Sequence, residues 1–279
     1  MRNRFGLLRG IVVLAAALAL PPFALGQQAP PPSATNTTSA KANPQSPKAS
    51  SASKDQPFDP HDLNGVWQTR LENPNTGIPP MTPDGQAAFQ AHKPGIGPHA
   101  VPLVEGNDPI WKCDPQGLPR GLINIVRPIQ FVQTKNQMIQ LFLFNEMWRI
   151  IATDGRSLPQ APVDIPRWTG YSIGHWDGDT FVVKTNGLDE RSWLDAYGDP
   201  HSDITTLEER YRRVDHDTME LTMTITDAKM YTRPWVMNKE IFKLKPELAL
   251  DQEEICTPSE SENYIKTIVN PEAMPPGKK

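Results

Sequence analysis

The segment over residues 188–203 contains a dense group of titratable and aromatic side chains. His201 and Asp203 are alternate residues, so in an extended segment they share a face and can form an imidazole–carboxylate pair. Such a pair suits general acid–base catalysis near neutral pH or, together with Asp195 or Asp199, the binding of a divalent ion. A polar turn in which Asp203 caps the next segment explains the same residues without any function. One histidine among scattered aspartates lacks the spacing of a defined metal site, so we predict no metal.

A second histidine lies in a strand-like stretch. His175 falls on the same side of its strand as Tyr171 and Ile173, so an inward orientation would place an imidazole among apolar and phenolic groups. There His175 could act as a general base. The alternative is a structural histidine beside the Asp177-Gly178 turn, and both interpretations stay open.

The stretch that follows residue 206 is unusual for a strand because both of its faces carry charge. Glu209 and Tyr211 share one side, while Glu208 and Arg210 share the other. Cross-strand ion pairs on an outward face explain this pattern without any function. On an inward face, Glu209 could assist a catalytic histidine, and Arg210 could bind an anionic group or stabilise developing negative charge.

These candidates fall into two groups. The candidate catalytic residues are His175, His201, Asp203 and Glu209. The candidate ligand-binding residues are Tyr171, Trp193, Asp195, Tyr197, Arg210 and Tyr211. No nucleotide-binding or redox motif is present, and we predict no cofactor.

The elements that must position these residues are β-strands. Apolar, β-rich stretches follow one another from Ile129 onwards, and Asp177-Gly178 between two of them is a strong hairpin signal. Met219–Thr226 alternates apolar and polar residues, so one face is dry and the other is wet or lines a cavity. Eight or nine strands in meander order predict a mainly β protein, an antiparallel meander closed into a lipocalin-like barrel. A two-sheet β-sandwich is the alternative.

The barrel is preceded by a Pro/Gly-rich stretch that predicts a long N-terminal loop layer with one short helix. Thr82 is placed to cap that helix, with Pro83 at its first position, and Pro94-Gly95 ends it. Cys113 lies in this layer, and Cys256 lies near the end of the folded region. The even count and an exported context predict a disulfide between them, with two buried thiols as the alternative.

Two resemblances support this interpretation. Asp62–Trp67 resembles the Gly-x-Trp opening strand of lipocalin-like barrels, in which the tryptophan closes the base. The sequences at 170–185, 209–219 and 226–235 resemble a family of exported bacterial proteins. That resemblance implies export, and it carries no activity, cofactor or catalytic residue with it.

The chain divides into four segments. Residues 1–26 have a basic start, an apolar stretch too short to span a membrane and Ala24-Leu25-Gly26, so they predict a cleaved signal peptide, with a retained anchor as the alternative. Residues 27–56 have the composition of a disordered Pro/Ser/Ala-rich linker. A single β-rich domain is predicted over 57–270, and a flexible tail over 271–279. After cleavage no stable membrane span remains, which predicts a periplasmic or secreted protein.

The leading functional hypothesis is an exported barrel that binds a small, largely apolar molecule in its interior, with the 188–203 loop over the mouth. An acid–base enzyme in the same cavity, acting as a hydrolase, dehydratase or isomerase, is the second hypothesis. An envelope interaction module is the third. With 28 Lys and Arg against 32 Asp and Glu and no basic cluster, the composition disfavours nucleic-acid binding.

Overall fold

A computed structural model of the protein describes residues 56–69, 77–123, 127–250 and 254–269. The predicted signal peptide, the linker up to residue 55 and the tail over 271–279 lie outside the described residues. The strands are β1 (Gly65–Thr69), β2 (Ile129–Gln133), β3 (Gln137–Phe142), β4 (Trp148–Ala152), β5 (Tyr171–Asp177), β6 (Thr180–Asn186), β7 (Thr206–Asp215), β8 (Thr218–Thr226), β9 (Trp235–Val236) and β10 (Glu240–Leu244). The helices are α1 (Pro83–Ala91) and α2 (Pro258–Tyr264).

The sheet closes on itself and forms a barrel. Strands β1 to β8 pair in chain order, and β10 pairs with both β1 and β8, so nine of the ten strands form the closed ring. Strand β9 pairs with the far end of β8. Closure confirms the predicted lipocalin-like barrel, and the sandwich alternative is wrong because two separate sheets would not share the β8–β10 and β10–β1 ladders.

One pair of strands departs from the predicted antiparallel pattern. Strands β4 and β5 are parallel, and only Ile151 with Ser172 and Ala152 with Ile173 are paired between them. The Pro-rich connection over 153–170 is long enough to return the chain to the opposite end before β5 begins, which a parallel pair requires. The barrel is therefore mixed, and the seam between β4 and β5 is short.

Local sequence accounts for two of the best-formed elements. Asp177 pairs with Thr180, and Gly178 between them has φ +57°, the left-handed conformation that a two-residue hairpin turn needs. In β8 the alternating residues Met219, Leu221, Met223 and Ile225 are all completely buried. The predicted dry face of this strand is confirmed.

The barrel interior is packed with side chains, and both ends are covered. At the end that carries the hairpin turns, Trp67 is fully buried and its indole N–H donates to the Leu63 carbonyl at 2.9 Å. At the opposite end, which we call the loop end, Leu118, Leu122 and Leu194 are fully buried. All five belong to one hydrophobic cluster that runs through the barrel.

The loop end is covered by a loop layer that comprises residues 77–123, 187–205 and 226–235. The Thr82 hydroxyl accepts a hydrogen bond from the Gly85 N–H at 3.0 Å, which confirms the predicted cap of α1. The disulfide between Cys113 and Cys256 is also confirmed, and it joins the loop layer to the segment that leads into α2. Within the described residues, no helix has both the length and the apolar character needed to cross a membrane.

Candidate functional site

The fold distributes the predicted site residues over three places. Glu209 and Tyr211 lie inside the barrel, while Tyr171, His175 and Arg210 lie on its outer wall. Trp193, Asp195, Tyr197, His201 and Asp203 lie in the loop layer. The ten residues therefore do not form one site.

The polar residues inside the barrel form a network that satisfies itself. Arg149 donates all of its N–H groups, two of them to Glu209 at 2.7 and 2.9 Å and the others to side-chain oxygens of the neighbouring strands. The Tyr211 hydroxyl donates to Glu209 at 2.6 Å and accepts from Gln140 at 3.1 Å. Burial, with the Glu209 charge, raises the pKa of Tyr211 well above its usual range. No donor of Arg149 is left for a ligand, so this network is structural.

The outer wall places three predicted site residues in contact with solvent. Tyr171 and His175 face outward on β5, and His175 is exposed, so the inward orientation on which its catalytic role depended is wrong. Arg210 is partly exposed and pairs with Asp177 at 2.9 Å and with Glu208 at 3.6 Å. The pair with Asp177 joins two strands and the pair with Glu208 lies within β7, and both are ion pairs of the outward face, where the alternative interpretation placed them.

His201 does not pair with Asp203. Asp203 is half-buried and forms an ion pair with Lys229, while His201 is buried and its Nε2 lies 2.9 Å from the Ser192 hydroxyl. Because that hydroxyl donates to the Asp189 carbonyl, Nε2–H of His201 must be the donor to Ser192. Burial lowers the pKa of His201, so the ring is neutral near neutral pH. The predicted imidazole–carboxylate pair is wrong, and Ser192 is not oriented as a nucleophile.

Asp195 and Asp199 form a buried pair of acids in the same loop. Each residue is only 1% exposed. Asp195 accepts hydrogen bonds from the backbone N–H groups of Tyr197, at 2.9 Å, and of Asp199, at 3.3 Å. Among the described residues no N–H or hydroxyl group donates to the carboxyl of Asp199, which instead hydrogen-bonds to the carboxyl of Asp195. Burial, followed by the charge of Asp195, raises the pKa of Asp199 to about 9, so Asp199 holds a proton near neutral pH and can share it with Asp195.

Asp199 is one of the residues that line a pocket of about 510 Å³. The other lining residues are Ile78, Phe89, Ile96, Gly97, Pro98 and Tyr197. Ile78 and Ile96 are exposed at the rim, whereas Asp199 is almost completely buried. The pocket therefore combines an apolar wall with one acidic group, the composition typical of a small-molecule site.

Two histidines that follow α1, His92 at its C-terminal cap and His99 in the next loop, hydrogen-bond to the backbone beside this pocket. His92 donates from Nδ1 to the Gly198 carbonyl at 2.7 Å, and His99 donates from Nε2 to the Tyr197 carbonyl at 2.8 Å. The His92 ring stacks on Trp193 with ring centres 4.6 Å apart. Burial lowers the pKa of His92. Trp193 is thus a buried support beneath the loop, and it does not line the pocket.

Asp227 anchors the end of the same loop from the segment after β8. Its carboxylate accepts hydrogen bonds from the Ser202 N–H at 2.7 Å, from the Ser202 hydroxyl at 2.9 Å and from the Thr205 hydroxyl. The Tyr231 hydroxyl donates to the Pro200 carbonyl at 2.8 Å. The backbone on both sides of Asp199 is therefore tied to the segment that follows β8.

A second depression lies outside the barrel wall, along the short seam between β4 and β5. It has a volume of about 750 Å³, and its lining includes Trp148, Arg156, Arg167, Trp168 and Tyr171. Arg167 lies over the ring of Tyr171, 4.1 Å from its centre. Trp148, one of its lining residues, is 61% exposed.

Sequence reasoning missed the residues that complete the pocket. Asp199 was considered only as a metal ligand or a turn residue, Phe89 was assigned to the short helix, and Ile96 and Gly97 were assigned to the long loop that follows it. No local signal connects residues 89–99 with 197–199, because only the folded loop layer brings them together. Arg149 was not among the predicted site residues, although its place between apolar strand residues, with Glu209 also on an apolar face, could have indicated a buried ion pair.

Within the described residues, no group of three His, Cys, Asp or Glu side chains is arranged to bind a metal ion. Comparisons of the sequence with protein-family models and with curated proteins find no match. The function is therefore argued from the pocket's own geometry and chemistry.

Proposed function

We propose that this protein is an exported β-barrel protein that binds a small, largely apolar molecule in the pocket of the loop layer, with one polar group of that molecule hydrogen-bonded to Asp199. Export is supported by the signal-peptide features of residues 1–26 and by the disulfide, because disulfides persist in oxidising compartments. Binding inside the barrel stays a prediction, and the packed interior favours the loop layer instead.

The observation that carries the proposal is the pocket itself, which joins an apolar wall to one buried acid, Asp199. The apolar part of a ligand would be buried against Phe89 and Tyr197. A polar group of the ligand would hydrogen-bond to the Asp199 carboxyl, which receives no N–H or hydroxyl donor from the described residues.

Native mass spectrometry of the protein purified from its own cell envelope tests for a retained small molecule. Calorimetric titration with the neutral probe 1-naphthylmethanol tests the pocket directly. We expect saturable binding that Phe89→Ala weakens, since this change removes a large part of the apolar wall.

Trp148→Ala is the matched control, because it removes an aromatic side chain from the outer-wall depression and leaves the loop layer intact. Binding that is lost in Trp148→Ala and retained in Phe89→Ala would assign the ligand to the wrong surface. Circular dichroism checks that both variants are folded. If neither change then affects binding, the loop-layer site is contradicted and the barrel interior becomes the candidate site.

A further inference from the structure

We propose that the outer-wall depression along the seam between β4 and β5 is a second binding site, which takes a small organic acid with a flat apolar body. The carboxylate of this acid would bind Arg167, and its apolar body would lie against Trp148. The depression and the pocket of the loop layer have no lining residue in common. This inference therefore does not depend on the proposed function.

The first argument is the charge of the depression. Arg149, Arg156 and Arg167 are among its lining residues, and none of the described residues that line it is Asp or Glu. Arg149 is paired with Glu209 inside the barrel, and Arg156 is paired with Asp154. Arg167 forms no ion pair with any carboxylate in the described part of the chain. A lining with an uncompensated cation attracts an anion.

The second argument is that the backbone of Arg167 is fixed. Its N–H donates to the Gly187 carbonyl at 2.9 Å, and its carbonyl accepts from the N–H groups of Gly170 and Asp189, each at 3.0 Å. The carboxylate of Asp189 is paired with Arg191, so it does not neutralise Arg167. The cation is thus carried by a segment that is tied to the start of the 188–203 loop.

The third argument is the orientation of the guanidinium. It lies over the Tyr171 ring, 4.1 Å from the ring centre, and the Tyr171 hydroxyl donates to the Ile165 carbonyl at 2.9 Å. Because the ring beneath the guanidinium is itself tied back, less side-chain freedom is lost when Arg167 binds a ligand. The planar fork of an arginine matches the two oxygens of a carboxylate, and its stacking on Tyr171 leaves the N–H groups at its edge for that contact.

The fourth argument is the apolar wall of the depression. Trp148 and Ile150 lie on the outward face of β4, and both are exposed although they are large and apolar. A flat hydrocarbon body placed against the Trp148 indole would remove apolar surface from water. The volume of about 750 Å³ is within the range of small-molecule sites. The wall and the cation together match an acid at one end of a flat ligand.

Calorimetric titration of the full chain near neutral pH with 1-naphthoate tests the site. We expect saturable binding that Arg167→Gln weakens by at least about fivefold, which corresponds to about 1 kcal/mol. Trp148→Ala should also weaken it, because this change removes the flat wall. The cation 1-naphthylmethylamine has the same hydrocarbon body and should bind more weakly than 1-naphthoate, since Arg167 repels it.

Arg212→Gln is the matched control for charge. Arg212 is exposed on β7 and does not line the depression, so its substitution should change the 1-naphthoate affinity by no more than about twofold. Circular dichroism checks that the variants are folded. Absence of saturable 1-naphthoate binding, or equal effects of Arg167→Gln and Arg212→Gln, would overturn this inference.

The result also separates the two binding sites. An affinity for 1-naphthoate that Phe89→Ala lowers and Arg167→Gln does not would place the acid in the loop layer and overturn the second site. The proposed function is tested independently by 1-naphthylmethanol, whose affinity Arg167→Gln should leave unchanged, because Arg167 does not line the loop-layer pocket.

Discussion

The buried carboxyl of Asp199 predicts an unusual dependence of stability on pH. Its pKa is raised from the ordinary value of 3.8 to about 9, first by burial and then by the charge of Asp195. Because the native state holds this proton more tightly than the unfolded chain does, the stabilisation is complete below the unfolded pKa. It is lost as the pH rises towards the folded pKa. Between these limits the native state binds up to one proton more than the unfolded state.

The perturbation is Asp199→Asn, whose amide resembles the protonated acid in shape and can donate to Asp195. One proton changes the free energy of unfolding by at most about 1.4 kcal/mol per pH unit, so the upper limit from about pH 5 to about pH 8 is about 4 kcal/mol. We expect the variant to be more stable than the natural protein, and the difference to grow with pH over that interval.

Urea unfolding of the oxidised protein at several pH values measures this difference, because groups common to both proteins cancel when the two free energies are subtracted. Asp84→Asn is the control for charge alone, and its effect should stay within about 0.5 kcal/mol with no pH trend. A difference between Asp199→Asn and the natural protein that stays constant from about pH 5 to about pH 8 would refute the raised pKa of Asp199.

Three further perturbations follow from the same structure. Arg149→Met should lower the free energy of unfolding by about 3–5 kcal/mol, because it leaves a buried carboxylate unpaired, whereas Arg210→Met on the exposed face should cost no more than about 1 kcal/mol in the same denaturant titration. Gly97→Ala should weaken 1-naphthylmethanol binding, since the new methyl group would lie 2.3 Å from the Tyr197 ring. Gly155→Ala, also at positive φ but with open space around it, should impose a backbone cost without affecting binding. Reduction of the disulfide, which joins positions 143 residues apart, should lower the free energy of unfolding by about 2–5 kcal/mol, and equal midpoints in oxidised and reduced samples would contradict this.

Much of the barrel could be predicted because strands carry a local signal. The alternation in Met219–Thr226 and the turn at Asp177-Gly178 each depend on neighbours in sequence, and both were confirmed. Closure had less local support, and the parallel pair of β4 and β5 had none, because the route of residues 153–170 is decided by tertiary packing.

The candidate site could be predicted only in part, and the reason is sequence separation. The 188–203 loop was recognised from its composition, but alternation wrongly paired His201 with Asp203, since the loop is not extended there and each side chain found a different partner. Whether the His175 side chain faces inward or outward could not be predicted either, because alternation defines the two faces of a strand but does not show which one faces the barrel interior.

By itself, the sequence determined the strands, the hairpin turn, the cap of α1 and the pairing of the only two cysteines, because each depends on short-range propensity or on simple counting. Only the tertiary structure decided that a fully satisfied ion pair lies inside the barrel while a buried pair of acids lies in the loop layer. Hydrogen-bond satisfaction and the pKa of a buried group depend on atoms that are far apart in sequence, and only the closed fold brings those atoms together.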